Sequence, residues 1–157
     1  MEIVISPAGF SDWSGLLDLL RSAYAFMAPR IDPPSSVLSL SATELEQKAR
    51  SEVLVVALDA SRILGCAFAA VRQDCVYVGK LAVDESARRR GIARALMAAV
   101  ERIALENSKA YLELETRIEL TENHATFAAL GFTKVAERAH PGFDRPTSIT
   151  MRKPTRT

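Results

Sequence analysis

The sequence predicts a mixed α/β fold around one sheet, and three observations carry that expectation. Continuous β-branched and aliphatic runs fill the middle of the chain, as in buried strands. After Asp84 and Glu85 the apolar period changes to that of a helix. The elements do not alternate strand and helix regularly, and no Gly-x-Gly-x-x-Gly follows the first strand, which excludes a dinucleotide-binding sheet; no Walker P-loop is present either.

The elements follow in order. Glu2 to Ser6 reads as a short strand, and Trp13, Leu16, Leu17, Leu20, Tyr24 and Met27 recur at helical spacing behind a Ser11 cap. Three prolines between Pro29 and Ser36 break that helix. Ser41 and Glu44 form a capping box flanked by a Leu40 and Leu45 staple, so a second, shorter helix starts there. Val53 to Leu58, Ile63 to Val71 and Val76 to Val83 are three meandering strands separated by turns at Asp59 to Arg62 and Arg72 to Asp74, with Gly79 marking a bulge or a close backbone approach. Ile92, Leu96, Ala99, Val100 and Ile103 stripe a helix that begins near Arg90 and runs to about Glu106. Tyr111 to Thr116 alternates like a strand, Thr121 caps a short helix through Leu130, and Gly131 ends it. Phe132 to Ala139 and Ser148 to Arg152 are the last strands.

Composition bounds the function. A chain of 157 residues, 48% hydrophobic and 25% charged, has the length of one domain spanning residues 1–157 and is not disordered. No apolar run approaches the roughly 20 residues of a membrane helix, and Met-Glu-Ile-Val-Ile-Ser lacks the organisation of a signal peptide, so a cytoplasmic protein with no membrane partner is expected. Cys66 and Cys75, without further ligands at metal spacing, read as buried reduced thiols and imply no metal. A net charge of +1 gives no global reason to expect nucleic acid. Edge strands leave a homodimer open.

The chemistry concentrates where a buried strand passes through a polar turn into a helix, at Leu81-Ala-Val-Asp-Glu-Ser-Ala-Arg-Arg-Arg-Gly-Ile-Ala-Arg-Ala-Leu96. First-turn amides without intrahelical partners and the helix dipole favour a phosphate there. Gly91 and Ala93 keep the approach clear, and Arg88, Arg89, Arg90 and Arg94 add cationic groups suited to phosphate oxygens. The alternative is a solvated helix start or a small nucleic-acid patch, which has no use for small residues at fixed spacing.

Arg88-x-x-Gly91-x-Ala93 resembles the Arg/Gln-x-x-Gly-x-Gly/Ala signature of the GNAT superfamily of acyl-CoA-dependent N-acyltransferases. Lys80-Leu-Ala-Val-Asp84 is similar to that family's fourth strand, and Leu130-Gly-Phe132 to its Leu-Gly-Phe near the carboxyl end. The resemblance implies a central, mostly antiparallel twisted sheet flanked by about four helices, and an acetyl group transferred from acetyl-coenzyme A to a primary amine of a small molecule or peptide by direct attack. It implies that backbone amides from Arg89 through Ile92 to Arg94 hold the pyrophosphate and that Leu81, Ala82 and Val83 pair with the pantetheine arm.

A lysine-like amine, with a pKa near about 10.4, must lose a proton before attack, and the departing thiolate benefits from an acid. By resemblance the base is Glu115 on the fifth strand, with Tyr77 as second candidate. Alternation puts Tyr111, Glu113 and Glu115 on one face, which could equally be solvated. Five residues before Phe132, where many members carry the acidic tyrosine, this chain has Phe127, which cannot donate a proton and packs against the cofactor instead. That departure supports a second reading, a catalytically weak acyl-CoA-binding regulatory module. His124 is a backup relay or a capping group, and Asn123 resembles a cofactor-contacting asparagine. For the acceptor, Tyr24, Phe26 and Arg30 are expected on one wall and His140 with Asp144 on the other.

Overall fold

A computed structural model describes residues 1–156; Thr157, at the end of the expected domain, lies outside the described residues. The chain runs β1 (Glu2–Ile5), α1 (Trp13–Ala25), α2 (Ala42–Ser51), β2 (Val53–Asp59), β3 (Arg62–Val71), β4 (Cys75–Val83), α3 (Ile92–Glu106), β5 (Tyr111–Arg117), α4 (Thr121–Ala129), β6 (Thr133–Arg138) and β7 (Ser148–Pro154), with short 3-10 turns at Ala28–Arg30, Ser36–Ser39 and Glu85–Ala87. The strands form one sheet ordered β1-β2-β3-β4-β5-β7-β6, antiparallel throughout except where β4 meets β5. The expected order of strands and helices is the observed one.

Alternation along the strands divides the interior into two cores. Ala67 and Ala69 of β3, Val76 and Val78 of β4 and Leu112 and Leu114 of β5 face α3, whose Ile92, Leu96, Val100 and Ile103 fill that side. Cys66 and Phe68 of β3 face the other way, onto Leu16 and Leu20 of α1 and Leu45 of α2. Both helix starts are chemically fixed. At α2 the Glu44 amide donates to Ser41 Oγ (3.1 Å) and the Ser41 amide to Glu44 Oε1 (3.1 Å), the expected capping box. At α1 the cap is Asp12, whose carboxylate accepts from the Gly15 amide (3.0 Å), and not Ser11. Thr121 is likewise the first residue of α4 and caps nothing.

Gly65 sets how closely α3 lies on the sheet. A Cβ there would stand 2.9 Å from Ile92 Cγ2, 3.1 Å from the Ala82 carbonyl and 3.2 Å from Leu96 Cδ1. Gly65→Val therefore must lift the start of α3 or distort β4, and overpacking of this kind costs about 1–3 kcal/mol. Urea unfolding should show a lower midpoint for Gly65→Val than for Gly65→Ala, and an unchanged midpoint would contradict the packing. No helix among the described residues is long and apolar enough to cross a membrane.

Candidate functional site

The site begins where two parallel strands part. β4 and β5 pair only from Cys75↔Tyr111 through Tyr77↔Glu113. Beyond that, the β3–β4 register skips: Cys66 opposes Ala82 and Phe68 opposes Gly79, so Ala67 alone faces both Lys80 and Leu81. The bulge falls on Lys80, at φ 53°, beside the Gly79 interruption read from the sequence. β4 leans away from β5 and leaves a cleft of about 350 Å³ lined by Gly79, Lys80 and Leu81 on one side and Leu114, Glu115 and Thr116 on the other. The Asp84 amide bonds to the Leu64 carbonyl on β3 (2.8 Å), so antiparallel alternation turns the Val83 amide toward the gap. The Leu81 carbonyl already accepts from the Tyr24 hydroxyl at 3.4 Å.

A second cleft, about 600 Å³, continues from the first along the start of α3. Asp84 shapes the turn into it, accepting from the Ser86 amide (2.9 Å), the Ser86 hydroxyl (2.6 Å) and Arg62 (3.2 Å). Arg89 (φ 65°) and Gly91 (φ 76°) are both left-handed, and the first backbone bond of the helix runs from the Ala95 amide to the Gly91 carbonyl (3.0 Å). The amides of Arg89 through Arg94 have no protein acceptor among the described residues. This is a run of free donors in a turn with two left-handed residues at a helix start, the kind of backbone that binds anions. A Cβ on Gly91 would meet nothing within 4 Å, so its glycine character serves the backbone angle and open access to those amides, not internal packing.

The residues expected at the phosphate end divide. Leu81, Ala82, Val83, Arg88, Arg89, Gly91, Ile92, Ala93 and Arg94 line the second cleft, together with Asn123 and Phe127 of α4. Arg90 does not: it sits between two left-handed residues with its side chain in solvent, and contributes its amide alone. Tyr24, Leu81, Asn123 and Phe127 line both clefts and so mark their junction. The Phe127 ring is held edge-on to Phe132, centroids 6.1 Å apart.

The proton-handling candidates sort by environment. Glu115 lines the first cleft, with Arg138 Nε 3.3 Å from its Oε1. Glu113, two residues earlier on the same face, is buried and bound by Arg152 (2.9 Å) and Arg72 (3.6 Å), so the solvated-face expectation fails for it. Burial, reinforced by the charges of Glu115 and Glu113, pushes the Tyr77 hydroxyl up to about 12, and the Arg72 guanidinium over its ring (4.1 Å) offsets this only in part. Tyr77 therefore keeps its proton at neutral pH. Burial likewise raises Tyr24 far above the ordinary phenol value, with Cys66 and Tyr77 adding to the shift. His124 has its Nε2 2.9 Å from the Arg117 carbonyl, a bond that ties α4 to β5.

These shifts predict an alkaline signature. A group whose folded pKa is raised contributes stability present below its unfolded value, near 10 for tyrosine, and lost as pH rises through the folded value. Absorbance titration of the native protein should show Tyr77 still protonated at pH 11, with stability falling between pH 10 and about 12. Full tyrosinate formation near pH 10 without unfolding would contradict the burial argument.

On the acceptor side, Tyr24 and His140 line the first cleft as expected, while three other candidates do not. Phe26 follows the last residue of α1 and lies outward against the second cleft, with the Arg88 guanidinium 5.4 Å over its ring. Arg30 forms a two-point ion pair with Glu122 of α4, which holds the Glu122 carboxyl down at about 2. Asp144 is exposed in the late loop, outside both clefts. Sequence reasoning missed Lys48, Lys80 and Arg117, all of which line the first cleft. The signal for Lys80 was available: it is the one charged residue in the otherwise uncharged strand Val76-Tyr-Val-Gly-Lys-Leu-Ala-Val83.

Comparison with known proteins agrees with this geometry. The sequence profile described as "Acetyltransferase (GNAT) family" matches residues 13–132. The chain belongs to the GNAT acetyltransferase family. Among solved structures it is similar to an aminoglycoside 6'-N-acetyltransferase complexed with coenzyme A (TM-score 0.78, 18% identity, 100% of this chain and 98% of that one). It is also similar to the ribosomal-protein-S18-alanine N-acetyltransferase from Escherichia coli (TM-score 0.70, 20% identity, 99% and 96%). A third is the PaiA N-acetyltransferase from Thermoplasma acidophilum in complex with coenzyme A (TM-score 0.79, 14% identity, 98% and 99%). At these identities the likeness is one of fold. No curated protein sequence matches the chain significantly.

Proposed function

We propose that the chain is an N-acetyltransferase that moves an acetyl group from acetyl-CoA to a primary amine by direct attack. The observation that carries the reading is the run of unpartnered amides from Arg89 to Arg94, flanked by Arg88, Arg89 and Arg94 and opening on a cleft that continues into the β4–β5 gap. A diphosphate suits those donors, and an extended amide-bearing arm suits the unpaired edge of β4 at Leu81 to Val83. Asn123 and Phe127 of α4 close the other side.

Acetyl-CoA supplies a thioester whose carbonyl is open to an amine. As the nitrogen–carbon bond forms and the carbon–sulfur bond breaks, one proton must leave the amine and one must reach the sulfur. Glu115, facing the gap across from the β4 bulge, is the base we assign. Phe127 gives nothing to the sulfur. Tyr24, at the cleft junction, already donates its hydroxyl proton to the Leu81 carbonyl (3.4 Å), so water supplies the proton that the sulfur takes. Cys66 is buried, with its thiol pushed up to about 12 by burial, and takes no part as a nucleophile.

The test is free-thiol release on a panel of amines, with both substrates required. Release that needs acetyl-CoA and an amine together supports the transferase reading. Phe127 favours one competing reading, a weak acyl-CoA-binding module, which predicts stabilisation by acetyl-CoA and no release with any amine.

A further inference from the structure

The charges inside the first cleft do not cancel. Four basic side chains line it, Lys48, Arg72, Lys80 and Arg117, against two acidic ones, Glu52 and Glu115. The acids are already engaged: Glu52 with Lys48 at 2.7 Å and Glu115 with Arg138 at 3.3 Å. Arg72 is satisfied by Glu113 at 3.6 Å. Lys80 and Arg117 make no ion pair within 4 Å among the described residues; Arg117 donates to the carbonyls of Pro33 (2.6 Å) and Pro34 (3.2 Å) and feels Glu119 and Asp32 only at longer range, the latter already held by Arg145.

Lys80 is half-buried, on the bulge that faces the gap. It does not line the arginine-rich second cleft, so cofactor phosphates do not account for it. Burial lowers its pKa, the nearby Lys48 charge lowers it further, and Glu52, which Lys48 already holds at 2.7 Å, opposes this as the smallest of the three effects. A partly desolvated cation next to another cation favours an anion supplied from outside.

The size of that anion's carrier is limited by the segment after α1. Its prolines are tied across to β5 by Arg117, the Asp32 amide bonds Glu119 (3.2 Å), the Asp32 carboxylate bonds Arg145 (3.0 Å), and Arg30 holds Glu122. This strap joins the α1 side of the cleft to the α4 side, with buried Ile31 beneath it, and leaves about 350 Å³, room for a small molecule.

We propose that the acceptor is a small amine bearing a carboxylate, of the amino-acid class, with Lys80 and Arg117 receiving the carboxylate while the amine faces Glu115. The proposal rests on the acetyl-transfer reading and narrows it. Polycationic acceptors, such as aliphatic polyamines and aminoglycosides, meet two cations without an ion-paired carboxylate in this cleft.

The experiment compares free-thiol release with acetyl-CoA and four acceptor sets: the amino acids, their carboxamides, an aliphatic diamine and an aminoglycoside, and a short peptide with a free amino terminus. At least one amino acid should be turned over with kcat/KM about tenfold or more above its carboxamide, the effect of one charge-assisted contact. Lys80→Gln should erase that ratio by raising KM for the acid, and Lys80→Arg should retain most of it. A diamine, aminoglycoside or peptide used better than every amino acid overturns the proposal, as does equal use of acid and carboxamide. If acetyl-CoA raises the thermal midpoint but no amino acid releases thiol, the substrate class is wrong and the cofactor reading survives. If acetyl-CoA leaves the midpoint unmoved, both fall.

Discussion

Glu115→Gln should lower kcat roughly 100- to 10,000-fold, the usual contribution of a positioned general base, while leaving KM for acetyl-CoA near that of the parent. The side chain lies in the β4–β5 gap and is not part of the phosphate end, so binding and chemistry should separate cleanly. Fold should be unaffected, because the carboxylate is partly exposed and its one ion-pair partner, Arg138, is largely in solvent. Pairs of that kind contribute little. Raising the pH increases the fraction of neutral amine, so the variant's residual rate should climb toward the acceptor's own pKa. A variant within threefold of the parent at neutral pH would remove Glu115 from the mechanism and leave water as the proton acceptor.

Gly91→Glu should abolish stabilisation by acetyl-CoA altogether. Two effects combine. Any side chain at φ 76° is strained by about 1 kcal/mol, and Gly91→Ala isolates that cost because its Cβ meets no neighbour within 4 Å. The carboxylate then adds a negative charge before the amides to which we assign the phosphate oxygens. Thermal scans should show Gly91→Ala slightly less stable but still responsive to acetyl-CoA, and Gly91→Glu unresponsive. Response in both would place the phosphates elsewhere.

Much of the fold was legible because it is written locally. The Ser41–Glu44 capping box, the apolar stripe from Ile92 to Ile103 and the break at Gly131 each need only a few neighbouring residues to be read. The strand-turn-helix junction proposed for the phosphates was legible for the same reason, since the strand, turn, Gly91 and helix are contiguous. The acceptor side was not, because its partners are far apart in the chain. Arg117 reaches Pro33 across 84 residues, and Arg30 reaches Glu122 across 92. Alternation left Glu113 open to a solvated face, whereas Arg72 from the β3–β4 turn and Arg152 from β7 enclose it. Phe26 and Asp144 failed as acceptor candidates because position near a proline-rich or late loop does not determine which way a side chain turns. Lys80 stood out as the one charge in its strand, but its place in the cleft follows from the β3–β4 register.

The most direct measurement is the thermal midpoint of the parent protein with and without saturating acetyl-CoA. A ligand that binds only the native state must raise it, by the equivalent of about 2.7 kcal/mol at a concentration 100 times Kd. A clear upward shift is the expected result and would support the free amides of Arg89 to Arg94 as a coenzyme cradle. No shift at saturating concentration would contradict the account at its base, since every later step depends on that cleft holding the thioester.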